Sequence, residues 1–185
     1  MLDRIVRFVS AQGSRPRSVA TRLGALAAGS LLFLVVAPML LVAVARPLAR
    51  IVPLEVPRTV EVAAGSVAIV VGLALMLWAV VTFWRVGKGT PVPVVAPQQL
   101  VVSGPFRYCR NPIKLGACTA YLGVGALAVS LPGGIVMFAI TLALGTAYHK
   151  LIEEPELRLR FGEPYEEYRR TTPFIVPRFR RRTPR

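Results

Sequence analysis

Long apolar runs separated by polar, basic segments dominate this chain. Residues 23–45 contain no charged side chain and lie between two arginines, and residues 62–84 form a second uncharged run. At about 1.5 Å per residue, each run is long enough to cross a hydrocarbon core of about 30 Å as a helix. Pro38 is expected to kink the first helix, and the prolines within residues 46–61 are expected to keep the connection irregular. The pattern therefore predicts two transmembrane helices in the first half of the chain.

Two shorter apolar runs follow in the second half. Residues 113–131 and 135–150 flank Pro132-Gly133-Gly134, which predicts a tight antiparallel hairpin that turns at this Pro-Gly-Gly sequence. Pro112 suits the first turn of the outgoing helix, where its missing N–H is no loss. Small residues would let the two arms approach closely. They are Gly116, Ala117, Gly123, Gly125 and Ala126 on the outgoing arm and Gly145 on the return arm. The whole pattern predicts an all-α integral membrane protein with about four transmembrane helices and a C-terminal cytoplasmic helical tail.

The polar segments divide the chain into four parts. Residues 1–22 are basic, with apolar residues spaced for a short helix at the membrane interface, and residues 23–84 hold the first two transmembrane helices. Residues 85–178 combine a proline-rich loop, the hairpin and a charged tail. In the tail, the last transmembrane helix is expected to continue beyond the membrane surface, Pro155 to restart a second helix that Gly162 stops, and Glu163-Pro164 to begin a third. Residues 179–185 form a basic tail. A cleavable signal peptide is not expected, because the first apolar core begins too late and is too long.

Composition and charge narrow the class of protein. Of the 185 residues 54% are hydrophobic, which is too apolar for a soluble domain of this size. The net charge of +14 does not indicate a nucleic-acid partner, because the basic residues are gathered between the apolar runs, as the positive-inside rule requires. Four helices would place both termini and twenty of the 23 lysines and arginines on one side, which we predict to be cytoplasmic. The Ala-, Val- and Arg-rich composition suggests a bacterial inner membrane, and the basic ends are expected to contact anionic lipid headgroups.

The cysteines add little. Cys109 and Cys118 lie nine positions apart, without a second pair or clustered histidines. This pattern indicates neither a metal site nor a disulfide framework. Cys109 could be a reactive thiol or a small buried filler, and the sequence leaves both interpretations open.

The candidate chemistry lies in two polar groups at the two ends of the hairpin. The first group is in residues 104–116, here called the hinge, where ionisable side chains stand close to hydrocarbon at a cost. The second is Glu153-Glu154, the acidic pair directly after the last apolar run. Because one group precedes the hairpin and the other follows it, we expect them to meet on one side of the membrane. Guanidinium groups, an amide, carboxylates and aromatic rings together suit a zwitterionic ligand. The polar side chains of the hinge are Arg107, Arg110, Asn111 and Lys114.

Each group also has an interpretation without a function. Glu153-Glu154 could pair with Arg158 and Arg160 at helical spacing. The arginines of the hinge could simply mark the edge of the membrane. His149, the sole histidine, could be an interfacial residue or a proton carrier.

Taken together, the motifs resemble a known superfamily. Gly104-Pro105-Phe106-Arg107-Tyr108, Arg110-Asn111-Pro112 and Gly116 are followed by Glu153-Glu154-x-x-Leu157, Phe161-Gly162-x-x-Tyr165-x-x-Tyr168 and Pro177-Arg178. In order and spacing, roughly residues 87–178 resemble the isoprenylcysteine carboxyl methyltransferase and phospholipid methyltransferase superfamily of integral membrane enzymes. The resemblance implies a methyltransferase whose cofactor, S-adenosyl-L-methionine, is held by the hairpin and the tail.

The resemblance also implies which residues form the site. The family's Arg-His/Asn-Pro element matches Arg110-Asn111-Pro112, and its Glu-Glu element matches Glu153-Glu154. The implied catalytic residues are Glu153, Glu154 and Arg110. The implied cofactor-binding residues are Tyr108, Arg110, Asn111, Pro112, Gly116, His149, Glu153, Glu154 and Leu157. One position departs from the pattern: relatives commonly carry an aromatic residue two positions after the proline, where this chain has Lys114. That difference bears on the shape of the cofactor pocket or on the identity of the methyl acceptor.

Three functions remain open from the sequence. The first is methyl transfer from S-adenosyl-L-methionine to a lipophilic small molecule or lipidated acceptor, a carboxylate or an amine, that arrives from the bilayer. An amine must lose a proton, for which Glu153, Glu154 or His149 is the candidate base. The second is a membrane reductase of the same fold that uses a nicotinamide cofactor. The third is a non-enzymatic membrane scaffold.

Overall fold

A computed structural model describes residues 2–13, 17–52 and 54–178, and no strand occurs within these ranges. The prediction of an all-α protein is confirmed. The predicted basic tail, residues 179–185, lies outside the described residues. The α-helices formed by the described residues are α1 (Leu2–Gly13), α2 (Val19–Leu31), α3 (Ala37–Ala49), α4 (Arg58–Arg85), α5 (Pro112–Ala128), α6 (Leu131–Tyr148), α7 (Glu154–Phe161) and α8 (Glu163–Thr171).

Three continuous helices within the described part of the chain are long and apolar enough to cross a membrane. A π-helical turn, Leu32–Val36, joins α2 and α3 into the first, Val19–Ala49, and α4 is the second. A second π turn, His149–Glu153, joins α6 and α7 into the third, Leu131–Phe161. The chain is therefore an integral membrane protein. At 17 residues, or about 25 Å, α5 is an apolar helix that falls short of a full span.

The first long helix continues through Pro38 and Pro47 instead of ending at them. Pro38 cannot donate a backbone hydrogen bond and its ring crowds the preceding turn, and the wider π turn lies directly before it. The carbonyl oxygen of Phe33 in this turn accepts a hydrogen bond from the hydroxyl of Tyr121 on α5. The predicted break near Pro47 was wrong, because Pro47 lies within the last turn of α3 and the helix ends only at Ala49.

Glycines allow α4 and α5 to pack closely. A Cβ built on Gly72 would lie 2.5 Å from the carbonyl oxygen of Gly116, and a Cβ built on Gly123 would meet the carbonyl oxygen of Gly65. The backbones can approach this closely only because these positions lack side chains. The predicted packing of Gly116 and Gly123 within the hairpin was therefore wrong, since both face α4. The two glycines on each helix are seven residues apart, about two helical turns, so each pair lies on one face.

The hairpin turns earlier than predicted. Because α5 ends at Ala128 and α6 begins at Leu131, Pro132-Gly133-Gly134 lies in the first turn of α6 and not in the connection. Proline is well tolerated at this place in a helix. Ser130 caps the helix, since its hydroxyl accepts a hydrogen bond from the Gly133 N–H at 3.3 Å. The Pro-Gly-Gly sequence was a helix start that resembled a turn.

A charged pair on α4, here called the turn clamp, holds this connection. Glu61 is 6% exposed; its Oε1 accepts a hydrogen bond from the Leu131 N–H at 2.7 Å and its Oε2 lies 3.2 Å from Nη1 of Arg58. Arg58 also donates to the carbonyl oxygens of Ala126, at 3.1 Å, and Leu127, at 2.7 Å. These carbonyls are at the end of α5, where helical partners are missing. The turn clamp therefore provides hydrogen-bond partners for backbone carbonyls at the end of α5 and for a backbone N–H at the start of α6.

The C-terminal part returns to the hinge. Gly162 ends α7 with a φ of +55°, a left-handed conformation that glycine adopts without strain. Helix α8 starts at Glu163, so the predicted helix stop and restart are confirmed. Residues 172–178, here called the strap, run from α8 over the hinge. This return path brings the strap to the entrance of α5.

Candidate functional site

Arg110 is the point where the hinge meets the strap and α8. Its backbone N–H donates to the carbonyl oxygen of Pro173 at 2.9 Å, and its Nε donates to that of Thr172 at 3.1 Å. Its Nη1 donates to the phenol oxygen of Tyr165 at 3.2 Å. Tyr165 is buried, and burial raises the pKa of its phenol, although the guanidinium of Arg110 partly opposes this. The phenol is therefore neutral, and Arg110 holds three segments together.

Asn111 organises the entrance of α5. Its carbonyl oxygen accepts the Leu115 N–H at 3.0 Å, and the buried Pro112 takes the first helical position. Its own side chain is buried, donating from Nδ2 to the carbonyl oxygen of Phe174 at 3.1 Å and accepting at Oδ1 from Nζ of Lys114 at 3.2 Å. Asn111 thus links the helix entrance to the strap and to Lys114.

Lys114 brings the hinge and the acidic pair together. Its Nζ lies 3.3 Å from Oε2 of Glu153. The aliphatic part of the side chain passes over Gly145 of α6, where an added Cβ would lie 2.9 Å from Cδ of Lys114. Glycine at position 145 therefore makes room for this side chain. The residue that departs from the superfamily pattern is the one that connects the two predicted halves of the site.

The same carboxylate oxygen of Glu153 also meets His149. Nδ1 of His149 lies 2.7 Å from Oε2 of Glu153. His149 is 2% exposed and is the first residue of the π turn. Because an ionised carboxylate only accepts hydrogen bonds, Nδ1 is the donor, and in a neutral imidazole Nε2 then bears the lone pair. Nε2 is buried and has no hydrogen-bond partner in the described part of the chain.

Glu154 has a different set of partners. Its Oε2 lies 2.8 Å from Nζ of Lys150, and its Oε1 lies 3.3 Å from Nη2 of Arg158 and 3.4 Å from Nη1 of Arg169. Arg169 belongs to α8, so Glu154 joins α7 to α8. The predicted pairing with Arg158 at helical spacing is thus found for Glu154, whereas Arg160 pairs with Glu156 at 2.7 Å. Glu153 pairs with His149 on its own helix and with Lys114 on α5. The two adjacent glutamates take separate structural roles.

Phe174 of the strap lies over these charges, and the sequence analysis missed it. Its ring centroid is 5.2 Å from Nζ of Lys150, 5.7 Å from the guanidinium carbon of Arg110 and 6.0 Å from Nζ of Lys114. The imidazole of His149 is 4.9 Å away, centroid to centroid. The available signal was a lone aromatic residue in a proline-bounded tail. We define the site cluster as Arg110, Asn111, Lys114, His149, Glu153 and Phe174.

The remaining predicted residues pack around the site cluster. The ring of Tyr108 lies 6.3 Å from that of Trp78, and its carbonyl oxygen accepts the Arg178 N–H at 3.0 Å. Gly116 packs against α4, and Leu157 packs on the core group that includes buried Tyr165. Gly116 and Leu157 therefore support the helices that carry the site.

The model of the phospholipid methyltransferase family matches residues 60–164, more than half of the chain. The chain belongs to this family. The resemblance inferred from the motifs is thereby confirmed. The phospholipid methyltransferase match includes the hinge and the acidic pair but ends before the strap, so Phe174 lies beyond what the family comparison describes.

A curated relative matches a smaller part. Over 80 residues the chain is 35% identical to the cobalt-zinc-cadmium resistance protein CzcN of Cupriavidus metallidurans. This match covers 43% of the chain and 36% of CzcN, so the chain spans little more than a third of that relative's length. No solved structure matches the chain.

Proposed function

We propose that this member of the phospholipid methyltransferase family transfers a methyl group from S-adenosyl-L-methionine to a lipophilic acceptor. The observation that carries the proposal is the 3.3 Å contact between Nζ of Lys114 and Oε2 of Glu153, because it places the two sequence motifs in one site. The excess of basic residues that the sequence places on one side supports a cytoplasmic location for the site.

The site cluster suits the charges of this cofactor. Its amino-acid part carries a carboxylate and an ammonium group, which Lys114 or Arg110 and Glu153 would bind, respectively. The face of Phe174 would attract the positively charged sulfur. A buried polar atom without a hydrogen bond costs about 1–3 kcal/mol. Nε2 of His149 has no partner within the described ranges, and a bound ligand would remove this cost. The side chains present thus fit a zwitterionic cofactor that carries a further positive charge on its sulfur.

The protein's part in the reaction is mainly alignment. S-adenosyl-L-methionine supplies a methyl group that is already activated by the positive charge on sulfur. The site cluster then needs to hold donor and acceptor in line and exclude water, and such positioning lowers a barrier by up to about 7–11 kcal/mol. Rigid helix ends and the strap hydrogen bonds provide this positioning.

A lipophilic acceptor would arrive from the bilayer, to which α2 presents an exposed apolar surface. No residue of α2 is buried, although it carries large apolar side chains such as Leu23 and Leu31. Near its start, Arg22 donates to the carbonyl oxygen of Trp84 at 3.0 Å and lies over the Trp84 ring. The apolar surface of α2 is therefore exposed to lipid, the phase from which a lipophilic acceptor would arrive.

Isothermal titration of the detergent-purified full chain with S-adenosylhomocysteine tests the proposal. Glu153→Gln is expected to weaken binding tenfold or more, roughly 1.4 kcal/mol. The matched control is Glu163→Gln, because Glu163 is an exposed glutamate of the same tail that pairs with Arg170 at the surface. The control is expected to bind like the wild type.

Two outcomes would overturn the proposal. Binding of a nicotinamide cofactor without binding of S-adenosylhomocysteine would favour a reductase. Absence of binding to both ligands, in wild-type protein with a cooperative melting transition, would favour a scaffold.

A further inference from the structure

A second group of polar side chains lies at the far end of α5, away from the hinge. Arg46 and Arg50, at the end of α3, line an open cavity of about 320 Å³. Its other wall is the end of α5 and the connection to α6, with Ala128, Val129 and Ser130. Because α5 begins in the hinge and ends at this cavity, the length of that helix separates the two places.

The two arginines of the cavity have no anionic partner. Arg58, on the same side of the bundle, pairs with Glu61 at 3.2 Å. In contrast, the guanidinium groups of Arg46 and Arg50 make no ion pair or hydrogen bond within the ranges that the structure describes. The arginines are four residues apart, so they are neighbours on one helical face and repel each other. An anion bound by both groups would replace this repulsion with attraction.

The groups around the arginines also suit an anion. The hydroxyl oxygen of Ser130 accepts the Gly133 N–H at 3.3 Å, which leaves its proton free to be donated. The carbonyl oxygens of Ala126 and Leu127, which would repel an anion, already accept hydrogen bonds from Arg58. Guanidinium groups bind phosphate oxygens through two parallel N–H···O bonds. The cavity therefore offers donors of the kind that a phosphate group prefers.

Apolar surface continues from the cavity toward the middle of the membrane. Met39 and Ala43 precede Arg46 by seven and three residues, so they share its helical face. Met39 is 68% exposed, and Ile135, in the second turn of α6, is 50% exposed. A phosphate group at the arginines with acyl chains along this surface would match both parts. This combination favours a phospholipid over a free phosphate ion.

We propose that the cavity binds the phosphodiester of an anionic phospholipid between Arg46 and Arg50, in the leaflet opposite the hinge. Among the described residues, no carboxylate lines the cavity to receive the choline or ethanolamine cation of a zwitterionic lipid, and two guanidinium groups would repel that cation. Phosphatidylglycerol carries the phosphate charge without such a cation. The bound lipid would link the end of α3 to the start of α6. This inference does not depend on the proposed function.

Labelling of an introduced cysteine tests the proposal at the cavity itself. Ala128→Cys places a thiol in the exposed part of the wall, whereas the natural Cys109 and Cys118 are buried. The full chain is placed in phosphatidylcholine nanodiscs with or without phosphatidylglycerol and treated with N-ethylmaleimide, an uncharged reagent. At a lipid concentration of about ten times Kd, phosphatidylglycerol is expected to slow the labelling about tenfold, because only the unoccupied fraction reacts.

A control position corrects for the charge of the bilayer. Anionic lipid lowers the thiolate fraction of any cysteine near its surface. Ile51→Cys lies next to Arg50 at a position that is 74% exposed and outside the cavity. Its labelling is expected to slow much less than that of Ala128→Cys. Equal slowing at the two positions would overturn the proposal.

Removing the arginines is expected to abolish the protection of Ala128→Cys. The variant is Arg46→Gln with Arg50→Gln, two exposed positions at which substitution should leave the fold intact. The matched control, Arg85→Gln with Lys88→Gln, removes the same charge at the hinge end of α4 and should keep the protection. Protection that survives in the first variant, or is lost equally in both, would overturn the proposal.

Two further arms separate a built phosphate site from charge alone and a lipid from free phosphate. Arg46→Lys with Arg50→Lys keeps the charge but loses the two-pronged hydrogen bonding, so its protection should fall below that of the wild type. Full protection in this variant would overturn the phosphodiester geometry. Inorganic phosphate added to phosphatidylcholine nanodiscs is expected to give no protection. Protection by inorganic phosphate equal to that by phosphatidylglycerol would overturn the lipid as the ligand.

Discussion

Charged residues hold both ends of α5, but they do so differently. In the turn clamp, each carboxylate oxygen of Glu61 has a partner, and Arg58 donates hydrogen bonds to backbone carbonyls at the end of α5. In the site cluster, Lys114 and Glu153 join side chains of different helices, and Nε2 of His149 has no hydrogen-bond partner among the described residues. The turn clamp bonds mainly to backbone groups and supports the fold, whereas the ion pair of Lys114 and Glu153 joins two side chains, which can exchange each other for a ligand.

The largest expected effect, a loss of stability, comes from breaking the turn clamp. Glu61→Ala would leave the Leu131 N–H and the guanidinium of Arg58 without their carboxylate, at a cost of about 2 kcal/mol in stability. Thermal unfolding in detergent measures this loss. Affinity for S-adenosylhomocysteine, per folded molecule, should not change. A variant that melts like the wild type but binds the ligand more weakly would contradict the division between the two ends.

For Lys114→Met we expect weaker ligand binding with little loss of stability, the reverse of the result expected for Glu61→Ala. Methionine keeps the aliphatic contact with Gly145 but removes the ammonium group that meets Glu153. Ligand affinity should fall about tenfold, roughly 1.4 kcal/mol. The melting temperature should change much less than in Glu61→Ala, because Glu153 keeps its bond to His149. Titration and thermal unfolding of both variants test this difference. If Lys114→Met lowered the melting temperature but not the ligand affinity, Lys114 would have a structural role.

A smaller effect is expected from Phe174→Ala. The backbone carbonyl of Phe174 still accepts from Asn111, so the strap stays in place while the aromatic face is lost. Loss of the cation–π contact should weaken binding of S-adenosyl-L-methionine, which is a sulfonium, by about 1 kcal/mol, and should change binding of S-adenosylhomocysteine, a neutral thioether, much less. The matched control is Val176→Ala, an exposed position of the same strap. Equal losses for the two ligands would contradict contact between Phe174 and the positive sulfur.

The smallest expected signal comes from Cys109 in the hinge. Burial raises the pKa of this thiol, although the backbone N–H of Asn111 partly opposes this, so at any given pH less of it is thiolate than in a free cysteine. In a Cys118→Ala background, maleimide should label it more slowly than free cysteine near pH 8, and the rate should rise with pH over a higher range. Labelling as fast as that of a free thiol would show that the site end of α5 opens readily.

The sequence predicts the helices well because a helix that crosses the bilayer needs an uncharged run as long as the hydrocarbon core is thick. The uncharged runs correspond to α2–α3 and α4, and the glycine at position 162 ends α7 as expected. The meeting of the hinge with Glu153 also follows from topology, since a short hairpin returns the chain to the side from which it left.

The features that sequence reasoning missed depend on how helices are rotated against each other. Hydropathy shows that Gly116 and Gly123 are small, but not that they face α4. It likewise gives no sign that Glu61 reaches the N–H of Leu131, seventy positions away. The position of Phe174 depends on the path of the strap, and no periodic pattern encodes that path.

The π turn His149–Glu153 has a consequence for the length of the chain. A π turn holds about one residue more than an α-turn, and one residue in a regular helix corresponds to a rotation of about 100°. Because the wide turn takes up its extra residue locally, deleting Lys150 would restore a regular helix and leave α7 facing nearly the same way, so Glu154 would still face Arg169 on α8. An extra residue in a regular helix would instead rotate α7 by about 100° and separate this pair. The π turn thus lets the helix hold one residue more while α7 keeps its orientation toward α8.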